Sequence, residues 1–158
     1  MKDIQIINRR LLDEVSSRAQ AVTRRRRNYN FHVAEAESSH RLLNAIEPDS
    51  YIQPHRHLEA TKDETLIIVR GRLGLVFFDA NGAVIDKAML APEGDSVGVN
   101  IPHGVYHTLL ALEPGSVFFE AKGGPYTPLT PEEKAPWAPE EGDPQAAAFL
   151  EQWRRLFV

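Results

Sequence analysis

The chain has 158 residues, a formal net charge of −4, 42% hydrophobic residues and no cysteine. This length and composition favour one folded globular domain, and the mild acidic balance argues against a nucleic-acid-binding protein, which would carry a basic surplus. Without cysteine there are no disulfides or thiolate ligands, so any metal would be bound by nitrogen and oxygen. The first apolar stretch is too short for a signal peptide and the longest apolar runs are strand-sized, so we expect a cytoplasmic protein with no membrane partner.

The patterning predicts a helix near the start of the chain, followed by many short strands. Asn8–Arg18 is predicted to be helical because Leu11, Leu12 and Val15 lie at helical spacing, and Asn8 is a suitable N-cap. Strands are predicted at residues 29–33, 42–46, 51–57, 65–70, 73–78, 83–90, 97–101, 105–112 and 116–122. No helical pattern separates them, which favours an all-β barrel or sandwich over a parallel α/β sheet.

The last part of the chain has a different composition. Residues 123–144 are rich in proline and acid, and we expect this segment to pack over the barrel with Tyr126 and Trp137 as anchors. Gln145–Phe157 is predicted to be an amphipathic helix. We therefore predict one domain over residues 1–158, with a core barrel at about 28–122 and the proline-rich segment and helix at 123–158.

A run of four arginines, Arg24–Arg27, precedes the predicted strands. Such a run is typical of a solvated surface or a helix end. The alternative is a clamp for an anionic ligand or a partner chain, because guanidinium groups bind carboxylates and phosphates well.

Three histidines and one carboxylate form a candidate metal site: His55, His57, Glu64 and His107. The first two histidines are two residues apart, so in a strand they lie on one face. A jelly roll would bring that face together with Glu64 at the start of the next strand and with the hairpin that carries His107. Such nitrogen and oxygen donors suit one divalent transition metal such as Zn, Fe, Mn or Ni. The alternative is that these histidines are ordinary core or surface residues.

These residues resemble the two motifs of the cupin superfamily. The first motif is a His-x-His, then a glutamate, then six residues and a glycine, which the spacing of Glu64 and Gly71 matches. The second is Pro-x-Gly-x-x-His, matched by Pro102–His107. Cupins usually place three or four residues between the second histidine and the glutamate, whereas this chain has six. Glu59 is therefore an alternative ligand, and Glu64 is preferred for its spacing to Gly71.

A closer resemblance covers most of the chain. The segments Arg27–His32, Pro54–His57, Glu113–Glu120 and Ala135–Glu140 are similar to those of the WbuC-type cupin-fold metalloproteins, a bacterial family. The resemblance implies an all-β cupin jelly-roll (double-stranded β-helix) barrel with an N-terminal helix, a short C-terminal helix and one bound divalent metal. It also implies a link to O-antigen or other surface-polysaccharide biosynthesis, with no settled reaction. Because cupins often dimerise, we also expect a homodimer.

Three further residues are candidates for catalysis. Glu120 and Lys122 share a strand face with Phe118, and they are expected either to line the pocket mouth or to pair in solvent. Lys122 could hold a carboxylate or phosphate of a substrate. Glu120 or His103 could move a proton, although the position of His103 in a turn favours a place at the rim.

The sequence leaves the reaction open. One hypothesis is a metal-dependent enzyme, such as an isomerase or epimerase, acting on a small polar or anionic, sugar-like molecule. With iron, the same site would support a dioxygenase. A third hypothesis is a non-catalytic module in which the metal organises a small-molecule pocket. A metal-free sugar epimerase is disfavoured, because it would use a histidine–aspartate base and no His-x-His with a matching glutamate.

Overall fold

The computed structural model describes residues 3–158, about a third of which lie in strands. These residues form helix α1 (Arg9–Gln20), strands β1 (Arg26–Asn30), β2 (Ser39–Ile46), β3 (Glu64–Arg70), β4 (Leu73–Phe78), β5 (Val84–Leu90), β6 (Gly98–Ile101), β7 (Tyr106–Ala111) and β8 (Ser116–Gly123), and helix α2 (Ala146–Arg154). Short 3₁₀ turns lie at Pro131–Glu133 and Arg155–Phe157. None of the helices described has the length and apolar character needed to cross a bilayer.

The eight strands described form two antiparallel sheets. One sheet has the order β1-β2-β8-β3-β6 and the other has the order β5-β4-β7. A shared core joins them, with Leu66 and Phe118 from the larger sheet packed among Leu75 and Leu109 from the smaller sheet. The predicted all-β jelly-roll barrel with an N-terminal helix and a short C-terminal helix is confirmed.

The two helices cover the outside of the barrel. Asn8 caps α1, since its Oδ1 accepts a hydrogen bond from the Leu11 backbone N–H at 3.0 Å, as the sequence predicts. Helix α1 buries its apolar side on the larger sheet, against Leu43 and Val117. Helix α2 packs on the smaller sheet, where Trp153 stacks on Tyr51 with ring centroids 5.7 Å apart.

The segment 124–145 crosses from one sheet to the other, with Trp137 packed against Phe78 at a centroid distance of 4.7 Å. Trp137 is thus the anchor that the sequence predicts. The prediction was wrong for Tyr126, whose side chain is 54% exposed.

The arginine run is largely bound within the fold. Arg24 Nε lies 2.7 Å from Oε1 of Glu141, and Arg26 Nη2 lies 2.6 Å from Oε2 of the same carboxylate. Arg25 pairs with Asp49 at 3.0 Å. Three of the four arginines therefore link β1, and the residues just before it, to loops that are distant in the sequence. The run is neither freely solvated nor a clamp formed by all four arginines.

Residues 51–57 differ from the predicted strand. They have no continuous ladder, and only His55 forms isolated bridges, one with His107 and one with Lys134. Two backbone hydrogen bonds link His55 to His107, at 3.0 and 2.9 Å. The segment is therefore extended but held at one point between β7 and the proline-rich segment.

Candidate metal centre

Four side chains from three parts of the chain converge inside the barrel. His55 and His57 come from the extended segment before β3, Glu64 is the first residue of β3, and His107 is the second residue of β7. The turn before β7 needs Gly104 in the left-handed region, at φ +84°, and its N–H donates to the carbonyl of His57. This turn therefore ties the second histidine of the first motif to the strand that carries His107.

Glu64 lies between two of the histidines. Its Oε1 is 2.9 Å from Nε2 of His57, and its Oε2 is 3.1 Å from Nε2 of His107. The rings of His55 and His107 are also close, with centroids 4.7 Å apart. The structure thus brings together all four residues that the sequence selects as metal ligands. Glu59, the alternative carboxylate, lies on the exposed loop before β3.

Backbone carbonyls fix the orientation of two of the histidine rings. His55 Nδ1 donates to the carbonyl of Gln53 at 3.0 Å, and His107 Nδ1 donates to the carbonyl of Val105 at 2.9 Å. A carbonyl oxygen only accepts, so the proton of each neutral ring must be on Nδ1. Nε2 of each ring is then left with a lone pair, which is the arrangement that metal-binding histidines commonly have.

Burial and local charge favour the protonation states that a metal needs. Burial, together with the nearby His107, lowers the pKa of His55 to about 3. Burial alone would raise the pKa of Glu64, but the adjacent His107 and His57 rings and the charge of Lys122 hold it well below its usual range. A neutral imidazole and an ionised carboxylate are the forms that ligate metals.

The donor set fits a divalent ion. Two donor atoms that are each about 2.1 Å from one ion, at right angles to each other, lie about 3.0 Å apart, close to the two Glu64–histidine distances. Moreover, Nε2 of His57 is buried and has no hydrogen bond with suitable geometry among the described residues, despite its short distance to Glu64. Within residues 3–158, no group of three or more histidine or carboxylate side chains is arranged to hold a metal ion as the side chains stand. Binding would therefore require the side chains to rearrange.

Lys122 and Glu120 lie beside the four residues. Lys122 Nζ is 3.0 Å from Oε1 of Glu64 and 3.2 Å from Oε1 of Glu120. Burial alone would lower the pKa of Lys122, but the charges of Glu120 and Glu64 outweigh it and raise the pKa above its ordinary value. Burial raises the pKa of Glu120 despite the opposing effect of Lys122. The lysine is therefore a fixed positive charge next to two carboxylates, and the two residues do not simply pair in solvent.

An inner cavity of about 170 Å³ is lined by His55, Glu64, His107, Glu120 and Lys122. One part of its wall is apolar, formed by Ile52, Leu66, Leu109 and Phe118. The other part is polar, with Asn44 donating from Nδ2 to Oε2 of Glu120 at 2.8 Å. Asn44 and Arg26 also line the cavity, and reasoning from the sequence did not select either one for this site.

Other residues named from the sequence lie elsewhere. His103 lies on the exposed turn before β7 and binds Asp63 through its ring Nδ1 and its backbone N–H, each at 2.8 Å. It lines none of the cavities described among residues 3–158, and its ring is held by Asp63 at the exposed turn. Lys62 is buried and donates to the carbonyls of Gly123 and Pro125. Arg56 lies over the ring of Tyr106 at 4.5 Å, outside the centre.

Comparisons with known proteins identify a sequence family and a shared fold. A family model described as "Domain of unknown function (DUF6016)" matches residues 7–90, a range that contains His55, His57 and Glu64. None of the curated proteins compared with the chain matches its sequence.

Three solved structures illustrate the structural similarity. The conserved SPY1581 protein of unknown function from Streptococcus pyogenes is 10% identical, with a TM-score of 0.52 over 80% of this chain and 93% of that chain. Protein SO0799 from Shewanella oneidensis is 14% identical, with a TM-score of 0.51 over 63% of this chain and 68% of that chain. KdgF from Halomonas sp. is 17% identical, with a TM-score of 0.49 over 62% and 79%. The first two similarities show a common fold.

Proposed function

Because the chain belongs to the DUF6016 family, a family defined without a function, we propose from the site itself that the protein is a metal-dependent enzyme for small hydroxylated acids. It binds one divalent transition metal through His55, His57, Glu64 and His107. One observation carries this proposal: backbone carbonyls fix the rings of His55 and His107 through Nδ1 and leave a lone pair on each Nε2 for a metal ion.

The residues around the centre suit an anionic substrate. When bound, a divalent ion supplies Lewis-acid polarisation of a substrate oxygen, and four protein ligands leave room for a substrate on a six-coordinate ion. Lys122 places a fixed positive charge 3.0 Å from Glu64. Its ammonium group would orient a carboxylate or phosphate of a substrate beside the metal ligands. The apolar wall formed by Leu66, Leu109 and Phe118 limits water around the reacting carbon.

Glu120 is the group placed to hold or move a proton. Its carboxyl is buried, its pKa is raised, and Asn44 and Lys122 fix its two oxygens. Proton transfer from carbon next to a polarised oxygen is the step shared by isomerases and epimerases. We therefore assign Glu120 the acid–base role and Lys122 the role of anion holder.

The metal assignment is tested by elemental analysis of purified and reconstituted protein. We expect about one divalent ion per chain, lost in His55→Ala and in Glu64→Ala. His103→Ala and Glu59→Ala are matched controls that should keep the ion, because both side chains lie outside the centre. Retention in Glu64→Ala with loss in Glu59→Ala would transfer the carboxylate role to Glu59. A wild-type protein that takes up no metal would overturn the assignment.

Two finer parts of the proposal come from the sequence. Resemblance to WbuC-type proteins supports a substrate from bacterial surface-polysaccharide biosynthesis, and it also supports a homodimer. Incubation of the metal-loaded protein with candidate acids, followed by NMR of the recovered ligand, separates the enzyme from the binding module. New ligand signals support turnover, whereas tight binding of an unchanged ligand supports the module. Iron in the native protein would instead favour the dioxygenase hypothesis.

A further inference from the structure

A second, larger depression opens beside the inner cavity. It has a volume of about 480 Å³, and we call it the β1–β2 groove; it is lined by Asn28, Asn30, His40, Asn44, Glu120 and Lys122 among others. Arg26, Asn44, Glu120 and Lys122 line the inner cavity as well, so the two spaces meet at these four residues. The inner cavity, at about 170 Å³, is smaller than typical ligand pockets of roughly 300–1,000 Å³, whereas the groove falls within that range.

The strand register explains how the groove leads away from the metal centre. Glu64 on β3 lies opposite Lys122 on β8, which lies opposite His40 on β2. One row further along, Glu120 lies opposite Leu42, which lies opposite Asn30 on β1. Neighbouring strands are about 4.8 Å apart, so the three steps from β3 to β1 cover about 14 Å. A ligand held at the centre could therefore extend across β8 and β2 as far as β1.

The groove presents amide groups that the fold does not use. Asn28 Nδ2 donates to Oδ1 of Asn30 at 2.7 Å, and Asn44 Nδ2 donates to Glu120. Three side-chain groups have no hydrogen-bond partner within residues 3–158: the Oδ1 atoms of Asn28 and Asn44 and the Nδ2 amide of Asn30. Asparagine is disfavoured in strands, so three of them on one face of β1 and β2 need a reason beyond the sheet itself.

The charges along the groove are balanced. Arg24 and Arg26 share Glu141, and Lys122 is paired with Glu120 and Glu64. The lining also includes Arg27 and Glu35, so four cations are matched by four carboxylates. The net charge of the groove is then close to zero, and the side-chain amides of Asn28, Asn30 and Asn44 supply neutral donors and acceptors, which match hydroxyl groups better than a second anion. Tyr126 adds a half-exposed aromatic side chain between the groove and a space of about 210 Å³ lined by His55 and His57. Its ring could pack against the apolar face of a sugar.

We propose that the β1–β2 groove binds an uncharged, hydroxyl-rich sugar unit linked to the acid that meets the metal centre. The substrate is then a glycosylated hydroxy acid that spans both spaces. This inference rests on the proposed metal site for the position of the acid group. The groove contacts themselves come from Asn28, Asn30 and Asn44, none of which is a proposed metal ligand.

Three probes separate the parts of this inference. Gluconate carries the hydroxy-acid end alone, lactobionate carries the same end with an added galactose, and lactose carries the sugars without the acid. We expect zinc-loaded protein, freed of excess zinc, to bind lactobionate about tenfold more tightly than gluconate in calorimetry, as one or two net hydrogen bonds would give. Lactose should bind more weakly than lactobionate.

A groove variant then locates the gain. The double variant Asn28→Ala/Asn30→Ala should bind lactobionate no better than gluconate, with gluconate affinity and zinc content unchanged. Asn100→Ala is the matched control, an exposed asparagine on β6 at the other edge of the same sheet. It should keep the full preference.

Equal wild-type affinities for the two acids would overturn the inference. So would a preference that survives in the double variant, or the absence of binding by either acid to protein that holds one zinc per chain. Failure of zinc uptake contradicts the proposed metal site instead. The groove inference is then tested on the metal-free protein. It predicts that lactobionate still binds more tightly than gluconate and that the double variant loses this difference.

Discussion

Lys122 on β8 lies directly opposite Glu64 on β3, with its Nζ 3.0 Å from Oε1 of that carboxylate. A second carboxylate, Glu120, lies 3.2 Å from the same nitrogen. In the protein without metal, the lysine is the one cation within 4 Å of both of these side chains among the described residues. A bound divalent ion would share its electrostatic role.

Lys122→Met should therefore destabilise the metal-free protein more than the zinc-loaded protein. Removing one partner of a buried ionic cluster costs about 3–5 kcal/mol, and zinc would restore a positive charge next to Glu64. The measurement is chemical unfolding of each variant with and without zinc. Lys62→Met is the control, because that buried lysine is bonded to backbone carbonyls of Gly123 and Pro125. Equal stabilisation of both variants by zinc would contradict the prediction.

The ion pairs of Glu141 predict a dependence of stability on pH. Burial opposes ionisation of Glu141, but hydrogen bonds from Arg24 and Arg26 outweigh it and lower its pKa to about 2 from an ordinary 4.5. A lowered pKa in the folded state stabilises the fold above pH 4.5, and this contribution is lost as the pH falls from 4.5 towards 2. Because the carboxylate is one-third exposed, we expect these ion pairs to contribute about 1–2 kcal/mol to the free energy of unfolding at neutral pH.

Glu141→Gln should accordingly be less stable than the wild type at pH 7, and the difference should shrink as the pH is lowered through that window. Unfolding in urea at several pH values measures it. Glu140→Gln changes the neighbouring exposed carboxylate and should have little effect at any of them. A difference for Glu141→Gln that is constant from pH 7 to pH 3 would show that the carboxylate charge is not its cause.

Gly71 predicts a different kind of sensitivity. It has φ +81°, and an added Cβ would be 2.3 Å from Oγ of Ser116 and 2.8 Å from its Cα. Gly71→Ala should cost about 2–4 kcal/mol, from the left-handed backbone and from the displacement of β8. Gly142 has φ +90° with nothing within 4 Å of an added Cβ, so Gly142→Ala reports the backbone cost alone. Thermal unfolding should rank the two variants in this order, and the reverse order would rule out the contact with Ser116.

The cap of α1 offers a smaller, local test. Asn8→Ala should lower the free energy of unfolding by about 1 kcal/mol, because the Leu11 N–H would lose its acceptor. Asn8→Asp keeps an acceptor oxygen at the same place and should retain most of that stability. Similar losses in both variants would mean that the hydrogen bond to Leu11 contributes little.

Local patterns predict much of this fold because they reflect local physics. The apolar strands β3, β4 and β7 and the helix cap at Asn8 follow from side-chain periodicity and capping chemistry. The selection of Glu64 over Glu59 agrees with the structure for a similar reason. Glu64 shares the inward face of β3 with Leu66 and Ile68, whereas Glu59 belongs to an exposed loop.

Contacts between distant residues could not be derived in this way. Asn44 bonds to Glu120, which is 76 positions away in the sequence, and Arg26 bonds to Glu141, which is 115 positions away. Strand order and loop paths bring these residues together. The placement of His55 also depends on long-range bridges to His107 and Lys134, which local alternation does not reveal. The single domain and the homodimer remain predictions, the second of which light scattering of the purified protein would test.

The double bridge at His55 bears on how the protein is made. Its backbone partners are His107 and Lys134, and the neighbouring Arg56 N–H donates to Glu133. A ribosome synthesises the first histidine motif long before either partner exists. We therefore expect metal capture at the proposed centre to follow the synthesis of His107 and Lys134, late in biogenesis. Until then the two histidines would be exposed to whatever ions and chaperones surround the nascent chain.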